Sequence, residues 1–246
     1  MKINGSVALV SGANRVIGYA FVKELLARGA SKIYVTARDP SSLSELLKGG
    51  DARLVALKLD VTNPAQIAEA AKAASDVTLL INNAGIAGYH GAISAPDLAL
   101  ARQEMEVNYF APLAMIRAFA PALAASGGGA IVNVLSFLSL VTVPSAGTYS
   151  ASKAASLAMT LSARAELAAQ GTLVVASMPA QTETELGRNL MPEPRLTPQE
   201  VAAGSLDAVE AGLDEVFPGE LTRNLVSAFE KNRKGFQAHL STLLPA

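Results

Sequence analysis

Short apolar segments alternate with longer amphipathic segments along most of the chain. The apolar segments are rich in Val, Ile and Leu and are bounded by Gly, Asp, Asn or Pro, which is typical of buried β-strands. They are residues 6–10, 32–37, 53–59, 77–81, 130–135 and 173–177. The segments between them have helical length and cover residues 17–28, 64–74, 98–125 and 150–170. Strands that are apolar on both faces and separated by helices predict a single α/β domain over residues 1–246, with a doubly wound parallel sheet covered by helices on both faces.

Composition limits the chemistry and the partners. A chain of 246 residues, of which 50% are hydrophobic, can bury one sizeable core. Lys and Arg number 20 and Asp and Glu 21, so the charge favours neither a nucleic-acid nor a membrane partner. The sequence has no Cys, which excludes disulfides and thiolate chemistry, and only two His, far apart, which disfavours a metal site. The first residues lack the apolar run of a signal peptide, so we expect a cytoplasmic location.

Residues 182–200 differ from the rest of the chain. They contain three prolines and several charges, which predicts a loop or short helices rather than a core element. In an open α/β sheet, such a segment after a late strand often covers a ligand crevice. A substrate lid is therefore expected here, and a surface loop without function is the alternative.

A glycine-containing turn follows the first strand. Residues 11–18 read Ser-Gly-Ala-Asn-Arg-Val-Ile-Gly, and a predicted helix comes next. Glycine lets backbone amides approach a pyrophosphate, and the amino end of a helix adds its positive dipole. The turn predicts a dinucleotide site, with a tight strand–helix turn that binds nothing as the alternative.

The turn resembles the first loop of the short-chain dehydrogenase/reductase family, which usually reads TGxxxGxG, with Val16 in place of the middle glycine. The resemblance covers about residues 4–185 and implies a Rossmann-like fold that binds a nicotinamide cofactor. Two more segments match the family: Asp60-Val61, which resembles an adenine-contacting pair, and Asn82-Asn83-Ala84-Gly85 after the fourth strand. The residues that the resemblance assigns to cofactor binding here are Gly12, Asn14, Arg15, Val16, Ile17, Gly18, Asp60, Val61, Asn83, Ala84 and Gly85. We expect Val16 to weaken binding, by crowding or by backbone strain.

The end of the second strand indicates which cofactor is used. An acidic residue at the strand tip would bind the ribose diol of NAD, but that position is Ala37. Arg38 and Arg15 offer donors for a 2′-phosphate, so NADP(H) is expected. Two alternatives stay open: both arginines are simply solvated, or Asp39 takes the place of the missing acid.

Tyr149 and Lys153 are four residues apart, which places both side chains on one face of a helix. That spacing alone is common. Ser136 ends a buried strand 13 residues earlier, and Asn108 lies on the preceding long helical segment. The resemblance implies that these four are the catalytic residues; the alternative is that they are structural polar residues.

The chemistry of these groups suggests their roles. Tyr149 would donate a proton to a carbonyl oxygen and take it back in the reverse reaction, without a metal. Lys153, with the oxidised nicotinamide, would lower the pKa of Tyr149 and hold the nicotinamide ribose, while Ser136 would orient the carbonyl. The resemblance implies that Asn108 holds a water on the proton path, and that Tyr149, Lys153, Pro179, Thr182 and Thr184 contact the cofactor.

The expected substrate site has mostly apolar walls. It comprises residues 87–93, 138–143, 146 and 180–182, in which Tyr89, His90 and Gln181 are the exceptions. This composition predicts a neutral, largely hydrophobic ketone or aldehyde as the substrate, and the resemblance implies its NADPH-dependent, reversible reduction. The alternatives are another chemistry on the same scaffold, such as isomerisation, and a non-catalytic NADP-binding sensor. The resemblance and the apolar helices at 98–125 and 150–170 predict a homodimer or homotetramer.

Overall fold

A computed structural model describes residues 1–184 and 194–245, and it contains a seven-stranded parallel sheet. The strand order is β3-β2-β1-β4-β5-β6-β7, and every neighbouring pair is parallel. The strands are β1 Val7–Val10, β2 Lys32–Ala37, β3 Leu54–Lys58, β4 Leu79–Asn82, β5 Ala130–Val134, β6 Leu173–Ser177 and β7 Glu215–Val216. The predicted doubly wound parallel sheet is confirmed, and each of its six predicted strands is present with ends that differ from the prediction by at most two residues.

Nine α-helices occur among the described residues. They are α1 Val16–Ala27, α2 Ser44–Leu47, α3 Pro64–Ala73, α4 Ala99–Met105, α5 Ala111–Ala125, α6 Gly147–Leu167, α7 Pro198–Ala211, α8 Gly219–Lys231 and α9 Arg233–Leu240. Residues 98–125, predicted as one helix, instead form α4 and α5 joined by a π-helical turn, Glu106–Phe110. The axis continues through this turn, so the long helical segment is real but contains one register change that periodicity does not reveal.

The core lies on both faces of the sheet, because successive strand residues point to opposite sides. On one face Val10, Val132 and Val175 pack against α1 and α7. On the other face Leu80 and Ile131 pack against α3, α5 and α6. Burial of each such side chain contributes about 1.5–3 kcal/mol, so the two layers hold the sheet rigid and fix the positions of its strand ends.

The α4–α5 segment, Ala99–Ala125, is the one helix in the described part of the chain that is long and apolar enough to cross a membrane by composition alone. Its apolar face lies against the sheet, where Met115, Phe119 and Leu123 are fully or almost fully buried. This helix is accounted for as a core helix of the α/β fold.

Residues after Ser177 contain elements that the sequence did not predict. β7 has only two residues, too few for an apolar pattern. α7 begins at Pro198, inside the predicted lid, where Thr197 and Glu200 form a reciprocal capping box. The lid prediction otherwise falls largely on residues 185–193, outside the described residues. On either side of them, Thr182 and Leu196 pair as an isolated parallel bridge.

The last two helices, α8 and α9, cover the segment after β5. Phe137 contacts Phe229 and Phe236 edge to face, with ring centroids 6.3 and 5.8 Å apart. The Gln237 amide donates to the Thr142 carbonyl and accepts from the Thr142 N–H, at 2.7 and 3.0 Å. The carboxy-terminal helices thus fix the backbone beyond Ser136.

Candidate active site

The carboxyl ends of the strands meet at one edge of the sheet, since all strand pairs are parallel. The segments that follow β1, β4, β5 and β6 carry Gly12, Asn83, Ser136 and Pro179 to this edge. The chain order reverses between β1 and β4, and a reversal of this kind opens the crevice in which open α/β sheets bind ligands. The segments that the sequence assigned to cofactor and chemistry are therefore neighbours in space.

The turn between β1 and α1 needs glycine at two places. Gly12 has φ +64°, and a Cβ there would come within 3.3 Å of the Ala84 Cα. A Cβ at Gly18 would overlap the carbonyl oxygen of Gly12, so helix and strand can pack this closely only with glycine. No described side chain caps the amino end of α1, and its first turn has no acidic residue. Its backbone N–H groups thus form an anion-binding end at the edge of the sheet.

Val16 is the first residue of α1 and is 38% exposed. Tyr89 is the one non-glycine residue with positive φ in the described ranges, so Val16 carries no left-handed backbone strain. The strain expected at Val16 was wrong, because the helix begins one residue earlier than the sequence predicted. Crowding by its side chain is the part of that expectation that still applies.

Asn83 joins the ends of β1 and β4. Its backbone N–H and that of Ala84 both donate to the Ser11 hydroxyl, at 2.9 and 3.0 Å. Its side-chain amide donates to the carbonyl oxygens of Ser11 and Gly12. The Ser11 hydroxyl in turn donates to the Ile81 carbonyl. This network fixes the glycine turn relative to the segment 83–85, with which it would share a dinucleotide.

Arg15 and Arg38 are open to solvent, whereas the Asp39 side chain is held by hydrogen bonds. Asp39 accepts from the N–H and the hydroxyl of Ser41, at 2.9 and 2.7 Å, so both of its oxygens cap the short helical turn at Pro40–Leu43. These hydrogen bonds lower the pKa of Asp39. Since its carboxylate is occupied locally, the alternative in which Asp39 binds a ribose diol loses its support.

Asp60 and Val61 follow β3 beside this region. The Asp60 carboxylate accepts from the backbone N–H and the hydroxyl of Thr62, at 3.0 and 2.8 Å. Partial burial opposes ionisation, but these bonds and the charge of Arg38 lower the pKa of Asp60 overall. The carboxylate therefore stabilises a turn next to Arg38, and its own backbone N–H is held by Gln66.

A buried chain of amide and hydroxyl groups links the sheet to α6. The Asn82 amide donates to the Asn133 side-chain oxygen at 2.8 Å, and the Asn133 amide donates to the Thr160 hydroxyl at 2.9 Å. The Thr160 hydroxyl donates to the Ser156 carbonyl. Buried polar groups of this kind specify one orientation of neighbouring elements. Here they fix α6, the helix that carries Tyr149 and Lys153.

Tyr149 is half-buried in the first turns of α6, with its phenol facing Ser136. Burial raises the pKa of the phenol, nearby Tyr89 and Glu104 raise it further, and the hydrogen-bonding Ser136 hydroxyl lowers it. Ser136 accepts from the Leu138 N–H at 3.1 Å, which leaves its own hydroxyl proton available for donation. Tyr149 is thus a protonated phenol with a hydroxyl donor beside it.

Lys153 is 5% exposed and donates to the Val134 carbonyl at 2.9 Å. Burial lowers the pKa of this ammonium to about 8. Its Nζ lies 5.8 Å from the centre of the Tyr149 ring. The pKa of Tyr149 is raised in this structure, whereas we expected Lys153 and the oxidised cofactor together to lower it. Desolvation dominates here because the lysine is directed at a carbonyl oxygen.

Asn108 lies in the π-helical turn and is 2% exposed. Its side chain accepts from the Ile86 N–H and donates to the Ile86 carbonyl, both at 2.9 Å, and also donates to the Ser152 hydroxyl. Ser152 donates to the Tyr149 carbonyl. Both amide N–H groups are used by protein atoms, so Asn108 braces α6 against the loop after β4 and offers a water only its second oxygen lone pair.

Gly85 lies directly beside two of these groups. A Cβ there would come within 3.3 Å of the Asn108 Oδ1 and 3.6 Å of the Lys153 Nζ. The structure therefore brings together Gly85, Asn108, Ser136, Tyr149 and Lys153 at the carboxyl ends of β4 and β5.

The segment after β6 forms the far wall of the crevice. The Pro179 carbonyl accepts from the Phe137 N–H at 2.8 Å, and the buried Thr182 hydroxyl donates to the Ala180 carbonyl. The Ala180 N–H donates to the hydroxyl of Thr222 on α8 at 3.0 Å. Thr222 is fully buried and went unnoticed in the sequence, because it lies beyond the region of family resemblance.

Comparison with known proteins agrees with this geometry. A family model described as short chain dehydrogenase matches residues 6–195. The chain belongs to the short-chain dehydrogenase/reductase family. It is 35% identical over 201 residues to galactitol 2-dehydrogenase (L-tagatose-forming) of Cereibacter sphaeroides, and the match covers 79% of this chain and 78% of that protein. It is 32% identical to mouse dehydrogenase/reductase SDR family member 7B, of which the match covers 61%.

A crystal structure of a short-chain dehydrogenase from Burkholderia cenocepacia J2315 in complex with NADP has the same fold. It is 44% identical to this chain, with a TM-score of 0.91, and the match covers 98% of this chain and 99% of that one. The residues of this short-chain dehydrogenase/reductase fit a nicotinamide dinucleotide by their shape. Gly12 and Gly18 let α1 pack closely on the ends of β1 and β4, Gly85 keeps the space beside Asn108 and Lys153 free of a side chain, and no described side chain caps the amino end of α1.

Proposed function

We propose that this short-chain dehydrogenase/reductase is an NADPH-dependent carbonyl reductase that acts reversibly on a neutral, largely hydrophobic ketone or aldehyde. The observation that carries the proposal is the protonated Tyr149 phenol beside the Ser136 hydroxyl, at the crevice where the fold binds dinucleotides. A phenol that stays protonated at neutral pH can supply a proton to an oxygen that gains negative charge.

NADPH, when bound, supplies a hydride to the carbonyl carbon. Ser136 would donate a hydrogen bond to the carbonyl oxygen and orient it, and Tyr149 would transfer its proton to that oxygen. Lys153, within reach of Gly85 and the Val134 carbonyl, would hold the nicotinamide ribose hydroxyls. An ammonium there would also stabilise the phenolate that Tyr149 leaves behind, so that the proton can be replaced.

The preference for NADPH is supported by the second strand. Arg38 and Arg15 are exposed at the site that would receive a 2′-phosphate, and the Asp39 carboxylate is held by Ser41. The 44% identical relative binds NADP, which points the same way. A forked cation suits a phosphate dianion, whereas NADH would offer these arginines no charge to pair with.

The substrate class rests on the walls of the crevice. The segments 87–93 and 138–143 are mainly apolar, and the polar exception His90 is exposed. An arginine cluster that would bind a carboxylate or a coenzyme A phosphate is missing from these segments. A neutral carbonyl compound with apolar substituents fits this lining.

A direct test follows NADPH consumption with a panel of aldehydes, bulky ketones and diketones. We expect turnover with at least one apolar ketone or aldehyde, and about 10²-fold less with Tyr149→Phe, the scale of a lost general acid. A sensor would bind NADPH and turn over none of them, and an isomerase would convert a substrate without net NADPH consumption.

We also propose a homodimer or homotetramer, built on the outer face of α4, α5 and α6. Leu98 just before α4, Phe110 in the π-helical turn and Leu161 on α6 are 58%, 50% and 46% exposed. Exposed large apolar side chains favour burial against a second copy.

A further inference from the structure

Two side chains of the α4–α5 segment hold the loop between β4 and α4. Asn108 bonds to both backbone groups of Ile86, as described above. Glu104, four residues earlier on the same helical segment, accepts from the Gly88 N–H through Oε1 at 2.8 Å. Two side chains that are four residues apart share one helix face, so both point into this loop.

Glu104 is an unusual side chain to find in this place. It is fully buried, and its second oxygen, Oε2, has no hydrogen-bond partner in the described part of the chain. A buried carboxylate with one oxygen unpaired is costly, and an apolar residue of similar size would fill the same space. A function that depends on the Gly88 contact would explain its presence.

The contact shapes the backbone next to the proposed proton donor. A Cβ at Gly88 would overlap the Leu100 side chain, so the loop lies directly on α4 at this point. The next residue, Tyr89, has φ +53°, a strained value for a residue with a Cβ. Strain of this kind persists only where neighbouring contacts over-determine it, and the bond from Gly88 to Glu104 is one such contact.

Tyr89 faces the reaction centre. Its ring centroid lies 6.4 Å from that of Tyr149, with the planes tilted by 32°. In the described structure its hydroxyl has no hydrogen-bond partner, and burial raises the pKa of this phenol to about 12. The Tyr89 ring thus forms a neutral, aromatic wall immediately beside Tyr149.

We propose that Glu104 is a positioning residue that acts through Gly88 to hold Tyr89 against Tyr149, and that Tyr89 selects substrates with a flat apolar substituent on the carbonyl carbon. The inference rests on the proposed reductase function. A rigid aromatic wall favours substituents that can stack on it, so its effect falls on KM for such substrates.

Glu104 has a second effect, which is electrostatic. Four titratable or polar groups are near enough to affect the Tyr149 phenol: Tyr89 from the loop, Ser136 from the end of β5, Lys153 from α6 and, through its charge, Glu104 from α4. The charge of Glu104 raises the pKa of Tyr149. Removing the charge of Glu104 therefore lowers the pKa of Tyr149. Because reduction needs the protonated phenol, the reduction rate should begin to fall at a lower pH than in the wild-type enzyme.

A double-mutant cycle tests the route from Glu104 to Tyr89. The variants are Glu104→Leu, Tyr89→Ala and their combination, with Glu106→Leu as an exposed control on the neighbouring turn. We expect each single variant to raise KM for an aryl ketone about 10-fold, with kcat for a small aldehyde changed less than about 3-fold. The double variant should match Tyr89→Ala alone, and the control should match wild type.

Glu104→Gln separates the positioning effect from the electrostatic effect, and this conservative change disturbs folding less than Glu104→Leu. Its amide oxygen can still accept from Gly88, so KM should stay within about 2-fold of wild type while the alkaline limb of kcat moves to lower pH. Additive KM effects in the cycle, or a Glu104→Gln variant that loses the aryl preference as fully as Tyr89→Ala, would overturn the proposal.

A measurement without turnover keeps this inference separate from the proposed function. The chain has five Tyr and no Trp, so near-ultraviolet circular dichroism reports on tyrosine packing. We expect the difference spectrum of Glu104→Leu to reproduce that of Tyr89→Ala, and Glu104→Gln to resemble wild type. Unrelated difference spectra refute the positioning role, whereas absent NADPH turnover by the wild type refutes the function alone.

Discussion

Replacing Lys153 with Met is expected to stabilise the ligand-free protein while abolishing its activity. Lys153 is 5% exposed, and burial lowers the pKa of its ammonium from 10.5 to about 8. That difference corresponds to about 3 kcal/mol of lost unfolding free energy at pH 7. Met removes this penalty and fills a similar volume, but leaves the Val134 carbonyl without its donor, at a cost of about 1–2 kcal/mol.

The net gain of about 1–2 kcal/mol should raise Tm by about 2–8 °C for a chain of this length. The gain should also depend on pH. Because the folded pKa of Lys153 lies below the unfolded one, the penalty is fully present below about pH 8 and fades as the pH rises towards 10.5. The stability difference between variant and wild type should therefore shrink over that interval.

Urea unfolding of the ligand-free proteins at pH 7 and pH 10, followed by far-ultraviolet circular dichroism, measures both quantities. Lys72→Met is the matched control, since Lys72 is exposed on α3 and its loss should leave the unfolding free energy almost unchanged. A Lys153→Met protein that is less stable than wild type at pH 7, or a gain of equal size at both pH values, would refute the reasoning.

The remaining predictions concern the cofactor, the proton donor and assembly. Arg38→Ala should reduce the preference for NADPH over NADH by about 10- to 100-fold, chiefly through a higher KM for NADPH, because one charge-assisted contact to phosphate contributes about 1.5–3 kcal/mol. Equal kcat/KM values for the two cofactors in the wild type would contradict this. Tyr149→Phe should bind NADPH with unchanged affinity in a calorimetric titration, yet retain at most about 1% of the turnover; a variant with more than half the wild-type rate would exclude Tyr149 as the donor. Light scattering should give the mass of a dimer or tetramer, because a second copy would cover the exposed apolar side chains of Leu98, Phe110 and Leu161. A monomer mass at all concentrations would overturn the oligomer.

The strands and the cofactor end of the site could be predicted because their signals are local. Each of the first six strands is apolar on both faces, and Gly12 and Gly18 are required by contacts with their own turn. The family resemblance, which the comparison with known proteins confirms, implied that Asn108, Ser136, Tyr149 and Lys153 belong to one site. The structure places all four at the same edge of the sheet.

What the sequence missed depends on contacts between distant residues. The pKa of Tyr149 follows from how deeply α6 is buried and from where the Lys153 ammonium points, which no spacing encodes. Glu104 carries no signal in the sequence, because its burial and its bond from the Gly88 N–H depend on how the loop after β4 packs on α4. The π-helical turn at Asn108 adds a single residue to one turn, too small a change for an apolar period to register. The cytoplasmic location stays a prediction.

Transfer of deuterium from NADPH that carries deuterium at both hydrogen positions of the nicotinamide C4 tests the central claim most directly. The wild-type enzyme is incubated with the labelled cofactor and a ketone from the panel, and the product is analysed by mass spectrometry and NMR. The account predicts one deuterium on the carbinol carbon of the alcohol and a hydroxyl proton from solvent, delivered through Tyr149. Product without deuterium at that carbon, or no alcohol from any ketone or aldehyde under conditions in which NADPH is bound, would contradict it.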